Sequence, residues 1–427
     1  MKEQLIVGLD IGTSHTRIAV GRIGILPDQR LALSVMGAVE TPTQGVARGA
    51  ITSLDDAVTS LATCLERTER QVGLPISDVT VGVGGTTVTL QEGRGVVGVS
   101  RPDGDIRRED VARAVESAKA LMNPANQYLI HTLERSFTLD GQQGIKDPIG
   151  MQGIRLEADI LIVQALTSHV RNITNAVFRS GLDVTRLVYA PLAAAEVVTS
   201  PRERELGVCV AILGASTTGL VVYENGELLH ATTLPIGADH ITSDIAIGLR
   251  ISLDAAEQIK RVYGTAVPEQ VSKKEDLNLM DFGATSSEVV SLRDIAGIIE
   301  ARVEEIFEKI EAELRKVDRQ GMLPAGVVLT GGGAKLVGMI DVAKRVLRLP
   351  SSIGTISVPS TMPEVIQDPS FSTAIGLILW SYEMERREDA EGSSGKGLLA
   401  GVGIKNSSAF LSTLLNPIKK IGKSFIP

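Results

Sequence analysis

The chain has 427 residues, 43% of them hydrophobic and 22% charged, with 43 glycines and a formal net charge of −8. That length exceeds one ordinary core and predicts two or three folding units of globular α/β composition, which excludes a disordered or collagen-like chain. The acidic balance argues against a nucleic-acid partner, and two distant cysteines, Cys64 and Cys209, without a histidine cluster exclude a disulfide framework or a zinc site.

Residues 4–12, QLIVGLDIG, form an apolar run closed by glycine, and TRIAVGRIG at 16–24 partly alternates, so a strand, a tight turn and a second strand are predicted. The apolar run before Asp10 is too short for a signal peptide, so a cytoplasmic chain is expected. SLDDAVTSLATCLERTERQVG (53–73) has a serine cap, apolar residues at helical spacing and Gly73 as its stop, which predicts a helix followed by the strand SDVTVGVGG. From about 86 to 162, β-like runs surround a helical stretch at 108–122 and the turn-rich DGQQGIKDPIGMQG (140–153), the pattern of an inserted subdomain. Helix and strand alternation resumes at SHVRNITNAVFRSG (168–181).

GVCVAILGASTTGLVVYENGELL (207–229) repeats the opening pattern, with Asn225-Gly226 as a hairpin turn. Helices are predicted at about 252–263 and 288–319, and GVVLTGGGAKLVGMIDVAKRVL (326–347) reads as a strand, a triple glycine and a helix beginning near Ala334. Such alternation argues for α/β sheets. MERREDAEGSSGKG (384–397) is charged and then Gly/Ser-rich, so the folded body is expected to end near Glu383 and a flexible linker to span 384–406.

Each of the three glycine turns follows an apolar strand, where backbone N–H groups can face an anion and glycine permits close approach. One such turn is ordinary structure; three together make phosphate the expected ligand. Asp10, ending the first strand, could order the water shell of a phosphate-bound Mg2+ or merely steady its turn. Glu257 and Lys260, in DAAEQIKRVYG, put an acceptor and a donor on one helix face, which unaided reads as an exposed ion pair.

These segments carry a resemblance. GLDIGTSHTRIAVG (8–21) resembles the first phosphate loop of the actin/Hsp70/sugar-kinase ATPases, LVYAPLAAAEVV (187–198) their first connecting helix, and ILGASTTGLVVY (212–223) their second phosphate loop. LTGGGAKLVGM (329–339) resembles the adenosine motif and FSTAIGLILWS (371–381) the second connecting helix. DGQQGIKDPIGMQGIRLEADI (140–160), SDIAIGL and AAEQIKRVYG are similar to segments of one bacterial branch, the FtsA cell-division family, and the ordered likeness covers most of the chain.

The resemblance implies a two-lobed actin-like α/β fold, a duplicated ribonuclease H-like architecture. Its first lobe core would occupy 1–85, continued at 163–199 and about 360–383, with an inserted subdomain at 86–162. The second lobe would occupy 200–359 and include a smaller subdomain at about 230–310. The implied cofactors are ATP and Mg2+. Gly12, Thr13 and Ser14 would touch phosphates from one lobe, and Gly214, Ser216, Thr217 and Thr218 from the other. Asp10 would support Mg2+ through water, Glu257 and Lys260 would flank the ribose, and Gly331, Gly332 and Gly333, with Lys335 nearby, would wall the adenine.

Departures from the family pattern matter as much. The second loop commonly reads Asp-aliphatic-Gly-Gly-Gly-Thr-x-Asp; here the acidic positions are Ile212 and Gly219, and two glycines are Ala215 and Ser216. A lysine that commonly follows the first loop is replaced by His15. Loss of carboxylates that orient Mg2+ or water predicts nucleotide binding with weak or absent hydrolysis.

From Gly392 to Pro427 there is no acidic residue, and lysines stand at 396, 405, 419, 420 and 423. On a helical wheel Phe410, Leu411, Leu414, Leu415, Ile418, Ile421 and Phe425 share one face, with Lys419, Lys420 and Lys423 opposite, and Asn416-Pro417 predicts a kink. No apolar run is long enough to span a bilayer, so an amphipathic helix at 407–427 on an anionic lipid surface is expected. Docking of that helix on the chain's own body or on a partner is the competing reading. The resemblance adds a role: a scaffold on the cytoplasmic face of the bacterial membrane at the division septum. It would form actin-like filaments with itself and bind the C-terminal peptide of the tubulin-like GTPase FtsZ and other divisome proteins. Two alternatives stay open, a small-molecule kinase of the same superfold, which would want a catalytic carboxylate, and a pilus-assembly scaffold, which would not need a lysine-rich lipid helix.

Overall fold

The computed structural model describes residues 4–25, 31–121, 126–272, 274–283, 288–358 and 367–392. Strands β1 (Gln4–Ile11), β2 (His15–Ile25) and β3 (Leu31–Pro42) form an antiparallel meander. A small ribbon of β4 (Val46–Ala47) and β5 (Ala50–Ile51) leads into α1 (Leu54–Val72). Ala57, Leu61, Cys64 and Thr68 recur at three-to-four spacing and are buried as one stripe of α1, and Gly73 closes the helix at φ 74°. Ser53 stands at the predicted cap position without a side-chain hydrogen bond. Strands β6 (Asp78–Val83) and β11 (Asp183–Tyr189) run parallel beside β1, giving the order β11-β6-β1-β2-β3.

Between them lie β7 (Val88–Gly98), α2 (Arg108–Leu121), β8 (Gln127–Leu139), β9 (Gln142–Ile145) and β10 (Arg155–Leu166), with the four strands in the order β7-β10-β8-β9. The long strand β10 is apolar on both faces, and its period of two sorts them. Leu156, Ala158, Ile160 and Ile162 belong to the core under α2, whereas Leu161, Val163 and Ala165 belong to that of the first sheet. Gly95 lets β7 reach α2: a Cβ there would lie 1.9 Å from the Ala114 carbonyl oxygen.

Helices α3 (Thr167–Arg179), α4 (Ala190–Val198) and α5 (Pro201–Leu206) follow, the last begun by a Ser200–Glu203 capping box. The second sheet contains β12 (Val208–Leu213), β13 (Thr218–Glu224), β14 (Glu227–Leu234), β17 (Val327–Thr330) and β18 (Ser351–Ile353) in the order β14-β13-β12-β17-β18. Its logic is that of the first: an antiparallel three-strand meander with two parallel strands beside the opening strand. Asn225 and Gly226, at φ 54° and 77°, make the predicted hairpin turn. Helices α6 (Ala238–Leu249), α7 (Leu253–Tyr263), α8 (Leu292–Lys316) and α9 (Met339–Leu347) pack around this sheet, with the ribbon β15 (Asp276–Asn278) and β16 (Val289–Ser291) preceding α8. Helix α10 (Ser372–Gly392) then returns to pack on β1 and α4.

Three expectations change here. The helix placed at 288–319 spans Leu292–Lys316, because Val289–Ser291 pairs as a strand with Asp276–Asn278. The helix start placed near Ala334 is a single 3-10 turn, Gly332–Lys335; the chain reverses at Gly338 (φ 86°) and α9 begins at Met339. Three successive glycines resist helix propagation, and Gly331 sits so close to Leu213 that a Cβ would meet its carbonyl oxygen at 2.6 Å. The linker boundary at Glu383 falls inside α10, since a nucleated helix continues through good formers such as Met384, Glu385 and Arg386, with Glu383 and Arg386 3.5 Å apart. Residues 393–427, with the predicted amphipathic helix, lie outside the described residues.

Candidate functional site

The two leading hairpins turn toward each other across a cleft of about 530 Å3. In the first, the Gly12 N–H donates to the His15 carbonyl at 3.1 Å; in the second, the Gly214 N–H donates to the Thr217 carbonyl at 2.9 Å. A Cβ on either glycine would lie 2.8 Å from the oxygen closing its turn, so both turns require glycine. Among the described residues, the N–H groups of Thr13, Ser14, Ala215 and Ser216 find no acceptor, which leaves free donors on both sides of the cleft. Across the mouth of the two turns Thr13 Oγ1 and Ser216 Oγ are 2.8 Å apart. Thr13 Oγ1 also accepts from the Gly49 N–H at 3.2 Å.

Helix α7 supplies one wall. Lys260 is nearly buried, and its Nζ donates to Glu257 at 2.6 Å, Thr242 Oγ1 at 2.7 Å and the Ala238 carbonyl at 3.2 Å. Thr242 in turn donates to Glu257 at 2.6 Å, so the predicted pair is part of a network tying α7 to α6. Gly331, Gly332 and Gly333 line another wall, and Lys335 Nζ meets Asp368 at 2.8 Å on the far side of that loop. Burial would raise the Asp368 carboxyl, but hydrogen bonds from Lys335 and Ser370 outweigh it and hold the group below its ordinary value.

Asp10, the penultimate residue of β1, stands directly opposite Arg17 in register. Burial pushes its carboxyl up, and Arg17 offsets only part of this because that guanidinium is held by Glu40 at 2.9 Å. His15 is lowered, first by burial and then by Arg17, so it is neutral at pH 7 and adds no charge to the first turn. The missing acids are on the cleft wall itself: Ile212 and Gly219 face each other across the β12–β13 pair and both line the cleft. A Cβ at Gly219 would lie 3.0 Å from Pro191 Cγ, so α4 would have to give by a few tenths of an ångström to admit a side chain.

The structure brings Asp10, Gly12, Thr13, Ser14, Gly214, Thr217, Glu257, Lys260, Gly331, Gly332, Gly333 and Lys335 to this one cleft. Ser216 stands across the mouth of the turns from Thr13. Thr218 is a correction: it is wholly buried, with its hydroxyl donating to the Ile236 carbonyl at 2.8 Å, so it cannot reach a ligand. Alternation along β13 puts Thr217 and Gly219 on the cleft face and Thr218 on the other. The sequence reading missed Arg17, Glu40, Arg261 and Asp239, all of which line the cleft. Asp239 opens α6, its backbone N–H clamped to the Ala215 carbonyl at 2.7 Å. Burial raises its carboxyl, with Lys260 opposing. The run Gly237-Ala238-Asp239 between an apolar strand and a helix was the available signal.

Residues 210–376 match the family profile described as cell division protein FtsA, and residues 85–164 match the SHS2 domain inserted in FtsA. Cell division protein FtsA of Bacillus subtilis is 35% identical over 383 residues, covering 90% of this chain and 84% of that protein. Its counterpart in Pseudomonas aeruginosa is 31% identical over 394 residues, covering 92% and 93%. Among solved structures, a chain of the PilM-PilN type IV pilus biogenesis complex superposes with TM-score 0.62 at 19% identity, over 88% of this chain and 98% of that one. MreB5 of Spiroplasma citri bound to ADP gives TM-score 0.53 at 12% identity, over 90% and 98%. These structural likenesses carry the actin-like fold alone, whereas the sequence relatives, each matched over more than four fifths of both chains, carry the family. With its two matching lobes and its inserted four-stranded subdomain, this chain belongs to the FtsA family of bacterial cell division proteins.

Proposed function

We propose that the cleft binds ATP with Mg2+ and hydrolyses it weakly or not at all. The observation that carries this reading is the pair of like glycine turns facing each other with unpartnered N–H donors, a geometry suited to a chain of phosphates between the lobes. Gly12, Thr13 and Ser14 would hold phosphate from one side and Gly214, Ser216 and Thr217 from the other. Glu257 and Lys260 would take the ribose, with Gly331 to Gly333 and Lys335 beside the adenine. No cluster of three or more metal-binding side chains occurs among the described residues, so an ion here would draw ligands from phosphate and water, with Asp10 ordering the water. Hydrolysis needs an oriented water and charge stabilisation, and the apolar wall of Ile212 and Gly219 supports neither.

The wider role follows from the family and the tail. The chain forms actin-like filaments on the cytoplasmic face of the membrane at the septum, held there by residues 407–427, and tethers FtsZ and other divisome proteins. No helix among the described residues is long and apolar enough to cross a membrane, which leaves attachment to the lysine-backed tail. Calorimetric titration with ATP, with and without Mg2+, and phosphate release in parallel test the cleft; tight Mg2+-dependent binding with slow release is expected. Rapid turnover that disappears in Asp10→Ala would refute the non-catalytic reading. Sedimentation with anionic vesicles, lost on truncation at residue 405, and co-sedimentation with FtsZ test the tether.

A further inference from the structure

The donors that α7 brings to the cleft are already used. Lys260 is 9% exposed, and the three protons of its ammonium go to Glu257 Oε2 at 2.6 Å, Thr242 Oγ1 at 2.7 Å and the Ala238 carbonyl at 3.2 Å. The Thr242 hydroxyl gives its own proton to the same Glu257 oxygen at 2.6 Å. Lys260 therefore has no proton left for a ligand, whereas Glu257 keeps its other oxygen, Oε1, free among the described residues. A second carboxylate stands nearby. Asp239, half-buried in the first turn of α6, lines the same cleft, and its backbone N–H is fixed on the Ala215 carbonyl. Among the described residues the Asp239 carboxylate accepts no hydrogen bond and forms no ion pair. The charges that act on it are those of Lys260, Glu257 and His240, not those of Asp10 and Arg17 beside the phosphate turn of the other lobe.

Two carboxylates around one spent cation make a wall of acceptors. Phosphate is repelled from such a wall, and a metal ion would have to compete with the ammonium already seated there. A vicinal diol is the neutral group that offers two O–H donors to two acceptors, and the ribose of a nucleotide carries one at its 2′ and 3′ positions. We propose that Asp239 and Glu257 together bind the ribose hydroxyls and make the cleft select ribonucleotides over deoxyribonucleotides. Lys260 acts on the sugar only through Glu257, as a positioning residue that holds the carboxylate in place with Thr242. This assignment rests on the cleft being an ATP site; it adds Asp239 to the sugar contacts and removes a direct one from Lys260.

Calorimetric titration of the full chain with ATP, 2′-deoxy-ATP and 3′-deoxy-ATP in the presence of Mg2+ tests this. The parent is expected to bind ATP about ten- to a hundredfold more tightly than at least one of the analogues, the range for a hydrogen bond to a charged acceptor. Asp239→Ala is expected to lose a like factor for ATP and nothing further for the analogue lacking the hydroxyl that Asp239 holds, because that bond is then already gone. A merely structural Asp239 would lower all three affinities alike. If the alanine variant melts early, Asp239→Asn, which keeps the size and an uncharged acceptor, carries the same comparison with a smaller loss. Equal binding of all three nucleotides by the parent overturns the sugar assignment and leaves the ATP site standing. Equal losses for all three in the variants overturn it as well, and so does a loss that disappears when Mg2+ is omitted, which would move Asp239 to the metal. Failure of the parent to bind any of the three overturns the ATP site itself and the sugar assignment with it.

Discussion

Replacing Gly376 by alanine tests how closely the two connecting helices approach. A Cβ at that position would lie 1.9 Å from the Ala193 oxygen and 2.4 Å from its carbonyl carbon, where ordinary contacts begin at 3.4 Å. Helices α4 and α10 would therefore have to part by about 1.5 Å, in an interior packed as densely as a crystal. Nothing flexible can yield: the obstacle is backbone, and Ala193, Ala194, Ile375 and Leu377 around it are fully buried. Overpacking of this kind costs about 1–3 kcal/mol, against which alanine regains roughly 0.5–1 kcal/mol of helix propensity. The net loss of up to about 2.5 kcal/mol should lower the melting temperature by up to roughly 10 °C for a lobe of this size. The control is Gly297→Ala in α8, where a Cβ meets nothing within 4 Å, and there the same exchange should stabilise by up to about 1 kcal/mol. Melting both variants beside the parent by circular dichroism decides the matter. If Gly376→Ala melts at or above the parent, or if the two variants shift alike, the close-approach reasoning fails.

Asp10→Asn should raise the melting temperature of the nucleotide-free chain at pH 7 while weakening Mg2+-dependent nucleotide binding. A carboxyl whose folded pKa is raised by burial stabilises most below its unfolded value and loses that contribution as pH rises through the folded value, so removing its charge relieves a cost. A lower melting temperature without ligand would count against this. His131, half-buried on β8, accepts the Tyr189 N–H at 2.9 Å, and desolvation lowers its pKa from 6.5 to about 4. The unfolded chain then takes up the proton first, so stability should fall as pH drops from 6.5 toward 4, by up to about 3 kcal/mol. His131→Phe, which cannot titrate, should flatten that acid limb in pH-dependent melts; an unchanged limb would sink the assignment. Gly219→Asp restores an acid to the second turn but drives it against Pro191, so lower stability and no gain in phosphate release are expected. Faster release from an equally stable variant would show that α4 yields.

The glycine turns were legible because their chemistry is local: strand, Gly12 or Gly214, and a hydroxyl run within a few residues. Asp239, Arg17 and Glu40 were not, because they reach the cleft through the clamp of α6 on Ala215 and the registers of β2 with β1 and β3. Thr218 was misassigned by treating a loop match as a contact, although alternation along β13 already turned it inward. The apolar run of β10 announced burial without saying that its two faces serve two different cores. Helix α10 ran past its predicted end because charged residues of high helix propensity look like linker when read singly.

By itself the sequence determined the duplicated strand-turn-strand pattern, the inserted subdomain, and the loss of acids at Ile212 and Gly219. Each of these is a property of neighbouring residues, set by periodicity, glycine placement and charge. Only the tertiary structure decided which donors face one cleft and that Pro191 of α4 crowds Gly219. Those depend on contacts between residues far apart in the chain, where close packing settles distances of a few ångströms that no local pattern encodes.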